Sequence, residues 1–262
     1  MSTAILGYMN RDSKLSHKEL LEHKRQLIND RLDAQRARIN ARFDDKQAQL
    51  EGKLSSRQEQ IISAALELLE VEGLNSLSLR DIAKKLNVKA SALYWHFSNK
   101  ESLIDSMAEL ILQKGLKDLQ LRQDDESWQD WLTNHMMQLR KAMLAYPDGS
   151  RVVAGAHLPK APTLAQSLEY SIASLVSAGI DRVTSAHVAV TSNRYTLGFV
   201  IEEQASPTID EMRKLPNNYF ATFTEQYPSI SKALEELQSN EENEDSNFII
   251  GLQYIMRGSN NV

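Results

Sequence analysis

The sequence predicts an all-α protein, and three observations carry that expectation. Apolar residues recur at helical spacing, as in Ile61, Ile62, Ala65, Leu68 and Leu69. Strand-like alternation is nowhere sustained. The 6 prolines all fall at or after Pro147, and helix-start and helix-stop residues divide the rest. A chain of 262 residues is long enough for one or two domains with a real core. The absence of cysteine excludes disulfides, thiolate metal sites and a cysteine nucleophile. The first residues lack a basic start, and no run approaches the roughly 18 apolar residues of a membrane span. The expectation is a soluble, cytoplasmic protein with no membrane partner.

Residues 1–13 show no period, and residues 14–54 read as one long charged helix. Large apolar residues fall at Leu21, Ile28, Leu32, Ile39, Phe43, Leu50 and Leu54, continuing to Ile61. Steps of 7 and 4 alternate, an eleven-residue repeat that keeps the stripe on one face of a nearly straight helix. At about 1.5 Å per residue the segment would reach roughly 60 Å. Arg25, Arg31, Arg36, Arg38, Arg42 and Lys46 flank the stripe, and Gly52 marks a hinge. The net charge of −5 is unevenly spread: residues 14–57 hold 11 Lys/Arg against 7 Asp/Glu, while the acidic excess lies in the C-terminal half. A basic end on an acidic body is compatible with one end facing phosphate.

Ser56 with Glu59 forms a capping-box pattern, and a helix from about Arg57 to Glu72 stops at Gly73. Ser78 with Asp81 caps a second helix, whose apolar face is Leu79, Ile82, Ala83 and Leu86. Asn87 suits a tight turn, and a short aromatic-rich helix starts near Lys89. Two short helices around such a turn make a helix-turn-helix, whose second helix can lie in a DNA major groove. Ser98 and Glu101 are expected to cap the next helix, running to near Leu119. The body beyond is read as helices over 127–146, 163–178, 182–204, 228–238 and 246–257, with a long loop after Ala205. The expected divisions are a charged arm over 1–55, a DNA-binding domain over 56–102 and a body over 103–262.

The DNA-binding segment resembles that of the tetracycline-repressor family. The likeness runs through residues 61–69, Glu72-Gly73-Leu74 and Leu79-Arg80-Asp81-Ile82-Ala83. It is most specific at Leu93-Tyr94-Trp95-His96-Phe97, Asn99-Lys100 and Leu103-Ile104-Asp105. The resemblance implies a two-fold symmetric operator of double-stranded DNA read by Arg80, Lys89, Ala90, Ser91, Tyr94, Trp95, His96 and Lys100. Physically, Arg80 can reach a guanine edge or a phosphate, and Tyr94 and His96 can donate to phosphates. Trp95 is left open between touching DNA and locking its helix to the domain. Where the tetracycline repressor carries Gln, Pro and Thr, this chain has Ala90, Ser91 and Ala92, so the operator sequence is expected to differ.

A looser likeness covers the body, through residues 126–130, Asp148-Gly149, 195–204 and 248–252. It implies a ligand-binding domain that forms a homodimer through a four-helix bundle built from 182–204 and 246–257. Val188, Thr191, Tyr195 and Phe199, with Phe248, Leu252 and Ile255, would form its apolar faces. The tetracycline repressor holds a magnesium–drug chelate through a His and a Thr, and here those positions are Val153 and Ala156. An Asn that grips the drug is His135, while the acidic Glu202 is retained. No metal and no cofactor are therefore expected. The expected inducer is a small, largely apolar molecule among Trp131, His135, Leu139, Val153, His157, Leu197 and Glu202.

The resulting expectation is a ligand-released transcriptional repressor. A protein whose arm is the working surface and whose DNA-binding domain only anchors it is the alternative. No Gly-rich phosphate loop, nucleophile elbow or metal-ligand cluster points to an enzyme. The arm generates a first prediction. Deleting residues 1–53 should leave a folded dimer with weaker operator affinity and a shallower dependence on salt. Equal affinity and slope, measured by fluorescence anisotropy across a salt series, would remove the arm from DNA binding.

Overall fold

The computed structural model describes residues 25, 26, 30, 31, 34, 37, 56–206, 214, 216, 219–239 and 243–258. Two compact units are present, Met1–Gln49 and Leu50–Val262. In the first, Arg25, Gln26, Asp30, Arg31, Ala34 and Ala37 are helical and exposed. The arm's stripe from Leu21 to Leu54, its hinge at Gly52 and its remaining basic residues lie outside the described residues. Ile61, the last residue in that eleven-residue series, is fully buried in the second unit. It belongs to the core of the helix-turn-helix domain.

The described part of the second unit is all-helical. Helix α1 (Ser56–Ser76) bends at Gly73, whose φ of 71° is left-handed. Ser56 already lies inside α1, so the expected cap at Ser56 falls one residue late. Ile61, Ile62, Ala65, Leu66 and Leu69 face the core, with Leu68 only half-buried. Helix α2 (Leu79–Lys85) starts as expected: the Ser78 hydroxyl accepts from the Asp81 amide and donates to its carboxylate. Asn87 then adopts φ 53°. The Val88 amide donates to the Ala83 carbonyl at 3.0 Å and the Asn87 amide to Lys84 at 3.1 Å, a Schellman ending with asparagine at its left-handed position. That turn aims helix α3 (Ala90–Tyr94).

Helix α4 (Lys100–Gly115) leads from this domain into the body. Its cap is Asn99 with Ser102, not Ser98 with Glu101: the Asn99 carboxamide accepts from the Ser102 amide at 2.8 Å. It ends at Gly115, short of the expected Leu119. The body adds α5 (Trp128–Leu144), α6 (Gly149–Ala154), a 3-10 turn at Leu158–Lys160, α7 (Pro162–Ser177), α8 (Arg182–Ala205), α9 (Tyr219–Gln226), α10 (Pro228–Ser239) and α11 (Glu244–Gly258). Helices α6 and α9 were not expected. Helix α6 is only six residues long, and α9 lies in a stretch that reads as loop. Helix α7 lies along α8, α4 packs on α5 and α6, and α11 packs on α8.

This packing revises the proposed bundle faces. Val188, Phe248 and Leu252 are buried within the single chain, and Tyr195 and Phe199 are half-buried against Phe248. Thr191 is exposed as expected, and the outward face of α8 that it shares carries Val183, His187, Arg194, Gly198 and Glu202. No described helix is long and apolar enough to cross a membrane.

Helices α4 and α5 touch at Gly115, where an added Cβ would overlap the Ala142 side chain. Gly115→Ala should therefore lower stability by about 1–3 kcal/mol, because close-packed backbones must separate to admit a methyl group. A melting curve checks this: at about 2–4 °C per kcal/mol the fall is readily measured. A rise in Tm, the ordinary result of replacing a helical glycine by alanine, would contradict this contact.

Candidate nucleic-acid interface and buried histidine core

The recognition segment is divided cleanly into anchors and projecting groups. Leu93 is fully buried and Phe97 is 3% exposed, so these two side chains anchor α3, which packs on α2, to the core of the domain. Ser91, Ala92 and Tyr94 are exposed, and Trp95 is 90% exposed. That exposure answers the question left open for Trp95: its indole does not lock the helix to the domain. Ala90 and His96 are half-buried. Lys89 makes no capping bond and is exposed, as is Arg80 on α2. Lys85 is paired with Glu67 at 2.9 Å. Lys100 is half-buried, and its ammonium donates to the Leu74 carbonyl at 2.8 Å, which ties the start of α4 to the end of α1. A guanidinium, two ammonium groups, hydroxyls, an indole and a small methyl-bearing helix front thus share one segment. Such a set can hold phosphates and contact base edges.

The second feature is His135, which is 1% exposed in the middle of α5. Its Nε2 lies 2.9 Å from the Ser167 hydroxyl and its Nδ1 3.3 Å from that of Ser171, one turn further along α7. The Ser171 hydroxyl donates to the Ser167 carbonyl at 2.9 Å and is left as an acceptor. Nδ1–H therefore donates to Ser171, and Nε2 accepts from Ser167, a consistent arrangement for a neutral ring. Burial lowers the imidazole pKa from 6.5 to about 3. Trp131 meets the ring edge-on at 5.0 Å.

Trp131 and His135 wall a cleft of about 240 Å³, completed by Asp118, Leu119, Gln120, Leu121, Gln123, Glu126, Asn134 and Gln138. Of the seven residues expected to form an apolar pocket, Trp131 and His135 line this cleft and the other five do not. Leu139 and Val153 are fully packed in the core. His157 instead bonds Asp105, with Nδ1 3.1 Å from the carboxylate, while Leu197 is half-buried. Glu202 is exposed on α8, and its neighbour Glu203 takes the buried Arg140 in a two-point pair at 2.6 and 2.9 Å. Ser167 and Ser171 escaped the sequence reading, although their four-residue spacing places them on one helix face. Among the described residues no group of three His, Cys, Asp or Glu is placed to hold a metal.

Comparison with known proteins now bears on these two features. The sequence model for bacterial regulatory proteins of the tetR family matches residues 61–107, which contain the whole anchored segment. The model described as tetracyclin repressor-like, C-terminal domain, matches residues 122–262, more than half of the chain. The chain belongs to the tetR family. This tetR-family protein is a ligand-responsive, DNA-binding transcriptional repressor and not an enzyme. It is 32% identical to the class G tetracycline repressor of Vibrio anguillarum over 200 residues, 76% of this chain and 90% of that one. Identity to the class A repressor from transposon 1721 of Escherichia coli is 37% over 145 residues, 55% of this chain and 66% of the relative. A crystal structure of a TetR variant from Acinetobacter baumannii AYE with minocycline superposes with a TM-score of 0.60 at 31% identity, covering 79% of this chain and 93% of that one.

The histidine gives this tetR-family protein a specific acid sensitivity. Below pH 6.5 the unfolded chain protonates His135, while the folded chain keeps it neutral down to about pH 3. The unfolded state then binds the extra proton, so stability falls as pH drops through that window. Between pH 6.5 and pH 5 this one group should cost about 2 kcal/mol. Urea unfolding of wild type and His135→Asn at both pH values isolates it: the variant should lose that much less. Equal losses in the two proteins would mean that the ring is charged, or solvated, in the fold.

Proposed function

We propose that the protein binds a palindromic operator as a homodimer and is released by a small uncharged molecule that enters beside Trp131 and His135. The division of the recognition segment carries the reading. Leu93 and Phe97 are buried while Tyr94 and Trp95 project, a pattern that leaves an indole in water unless something covers it. Arg80, Lys89, Ser91, Ala92, Tyr94, Trp95 and His96 then face DNA, and Lys100 both steadies α4 and adds charge near a phosphate. Ala90 and Ala92 supply methyl groups instead of polar base contacts, which favours thymine methyls in the half-site. The working divisions remain 1–55, 56–102 and 103–262.

Dimerisation is supported by the outward face of α8. An added Cβ at Gly198 meets nothing within 4 Å, so the chain leaves room there for a partner helix. Exposed Val183 on α8 and Tyr254 on α11 flank that surface. On the ligand side, a neutral His135 bonded to two serines favours a hydrogen-bonding molecule without negative charge. The tetracycline–magnesium chelate of the relatives is disfavoured, because Val153 and Ala156 offer it no ligand atom.

Selection of bound sequences from random duplex DNA tests the reading. A palindrome with half-sites about one helical turn apart is expected. Trp95→Ala should weaken binding to it by about tenfold or more with an unchanged Tm. Recovery of no preferred sequence would favour the arm-centred alternative, and an unaltered affinity would remove Trp95 from the interface.

A further inference from the structure

The carboxamide of Gln204 uses all of its hydrogen-bonding capacity on one turn. From the last turn of α8, Nε2 donates to the carbonyls of Met143 at 3.2 Å and Tyr146 at 2.7 Å. Its Oε1 accepts from the Ser150 amide at 3.2 Å and the Ser150 hydroxyl at 2.7 Å. Two donors and two lone pairs are all that a glutamine side chain has. The turn it grips, between α5 and α6, has little slack. Asp148 sits there with a left-handed φ of 55°, and Gly149 lies so close to the Met143 carbonyl that no Cβ would fit.

The same turn holds the DNA-binding domain. The Asp148 carboxylate accepts from the Leu74 amide at 2.8 Å, just past the bend at Gly73. A Cβ on Gly73 would stand 3.3 Å from that carboxylate, so the approach suits glycine. Arg151 pairs with Asp148 at 3.0 Å and donates to the Asn75 side-chain oxygen at 2.9 Å. One short turn is thus gripped from both sides, by Gln204 at the end of α8 and by the bonds of Asp148 and Arg151 to the end of α1.

We infer that Gln204 is a positioning residue for DNA recognition, which locks the turn that fixes the rotation of the DNA-binding domain relative to α8. Helix α4 gives that domain one line of attachment to the body. Asp148 and Arg151 give it a second, off that line, and two attachments fix a rotation that one leaves free. The inference rests on the reading that α8 lies at the dimer interface. A fixed rotation then sets the separation and facing of the two recognition helices. Each base pair added between half-sites moves one of them by about 3.4 Å and turns it by roughly 35°. A dimer with locked domains should therefore accept one spacing, and a dimer with loosened domains should accept several.

The test uses the full-length protein and the palindrome recovered from random duplex DNA. Versions with one base pair inserted or removed at the centre complete the set. Wild type should prefer the recovered spacing by about tenfold or more. Gln204→Met keeps side-chain length and removes every bond to the turn. The pair Asn75→Ala with Asp148→Gly cuts the other end at exposed and half-buried positions, and glycine suits the left-handed φ at 148. Both proteins should remain dimers by light scattering and keep wild-type affinity for a single half-site, while the spacing preference falls to about threefold or less. If Gln204→Met does not fold, the pair at the other end decides. A folded, dimeric variant with the full wild-type spacing preference overturns the inference, and so does a wild type indifferent to spacing. Failure of wild type to recover any palindrome rejects operator binding itself, and the inference falls with it.

Discussion

Two carboxylates buried on α4 constrain the rest of the second unit. Asp105 and Glu109 are 4% and 7% exposed, one helical turn apart on the helix that leaves the DNA-binding domain. Asp105 accepts from the His157 amide at 2.8 Å, and Glu109 accepts from the Thr163 amide at 3.0 Å and hydroxyl at 2.6 Å. A buried carboxyl group left without donors costs far more than one that is satisfied, so residues 157–163 are bound to follow α4. Burial raises the Glu109 pKa, against the pull of its hydrogen bonds from Thr163 and Gln113. Thr163 begins α7, and α7 brings Ser167 and Ser171 to His135. The helix that holds the recognition segment is thereby connected, through side chains with few alternatives, to the polar centre of the body.

Arg140 plays a comparable part at the other side of α5. Its guanidinium is 3% exposed, pairs with Glu203 on α8 and Asp245 on α11, and lies over the rings of Phe199 and Phe248 at 5.7 and 5.5 Å. Removing one partner of such a group leaves a buried charge uncompensated, which is the costly case. Three helices are therefore held in one relative placement by a cation that an apolar residue could replace in volume but not in direction.

Local signals were legible in the sequence where one short stretch determines the structure. Gly73, Ser78 with Asp81, and Asn87 each act within a few residues; the last two match the structure, while Gly73 bends α1, which runs on to Ser76 instead of stopping. The core face of α1 was legible for the same reason, apart from Leu68 and Leu66. The cap of α4 was misplaced by one residue because Ser98 and Asn99 are both good caps, and only the bond from the Ser102 amide separates them. The buried histidine cluster was the least legible part. Its hydrogen bonds join His135 to serines more than 30 positions away, and such pairings leave no periodic trace. The bundle faces failed for a related reason: Phe248 and Leu252 are apolar at helical spacing whether they face a second chain or their own α8. Gln204 falls within the run 195–204 that carries the resemblance, but nothing in a single sequence says that one carboxamide closes a distant turn.

The 3 tryptophans of the chain occupy three different environments. Trp95 stands in water at 90% exposure, Trp128 is half-buried at the start of α5, and Trp131 is 6% exposed with its indole N–H donating to the Gln120 carbonyl at 3.1 Å. Indole emission shifts and quenches with its surroundings, so the protein carries native optical reporters at both of the sites proposed to bind. A water-soluble quencher should reach Trp95 first and lose that access when DNA is bound. Light emitted from Trp131 should respond to what enters the cleft beside His135. Occupancy of the two ends can then be followed in one unlabelled sample, with each single-tryptophan variant assigning its share of the signal.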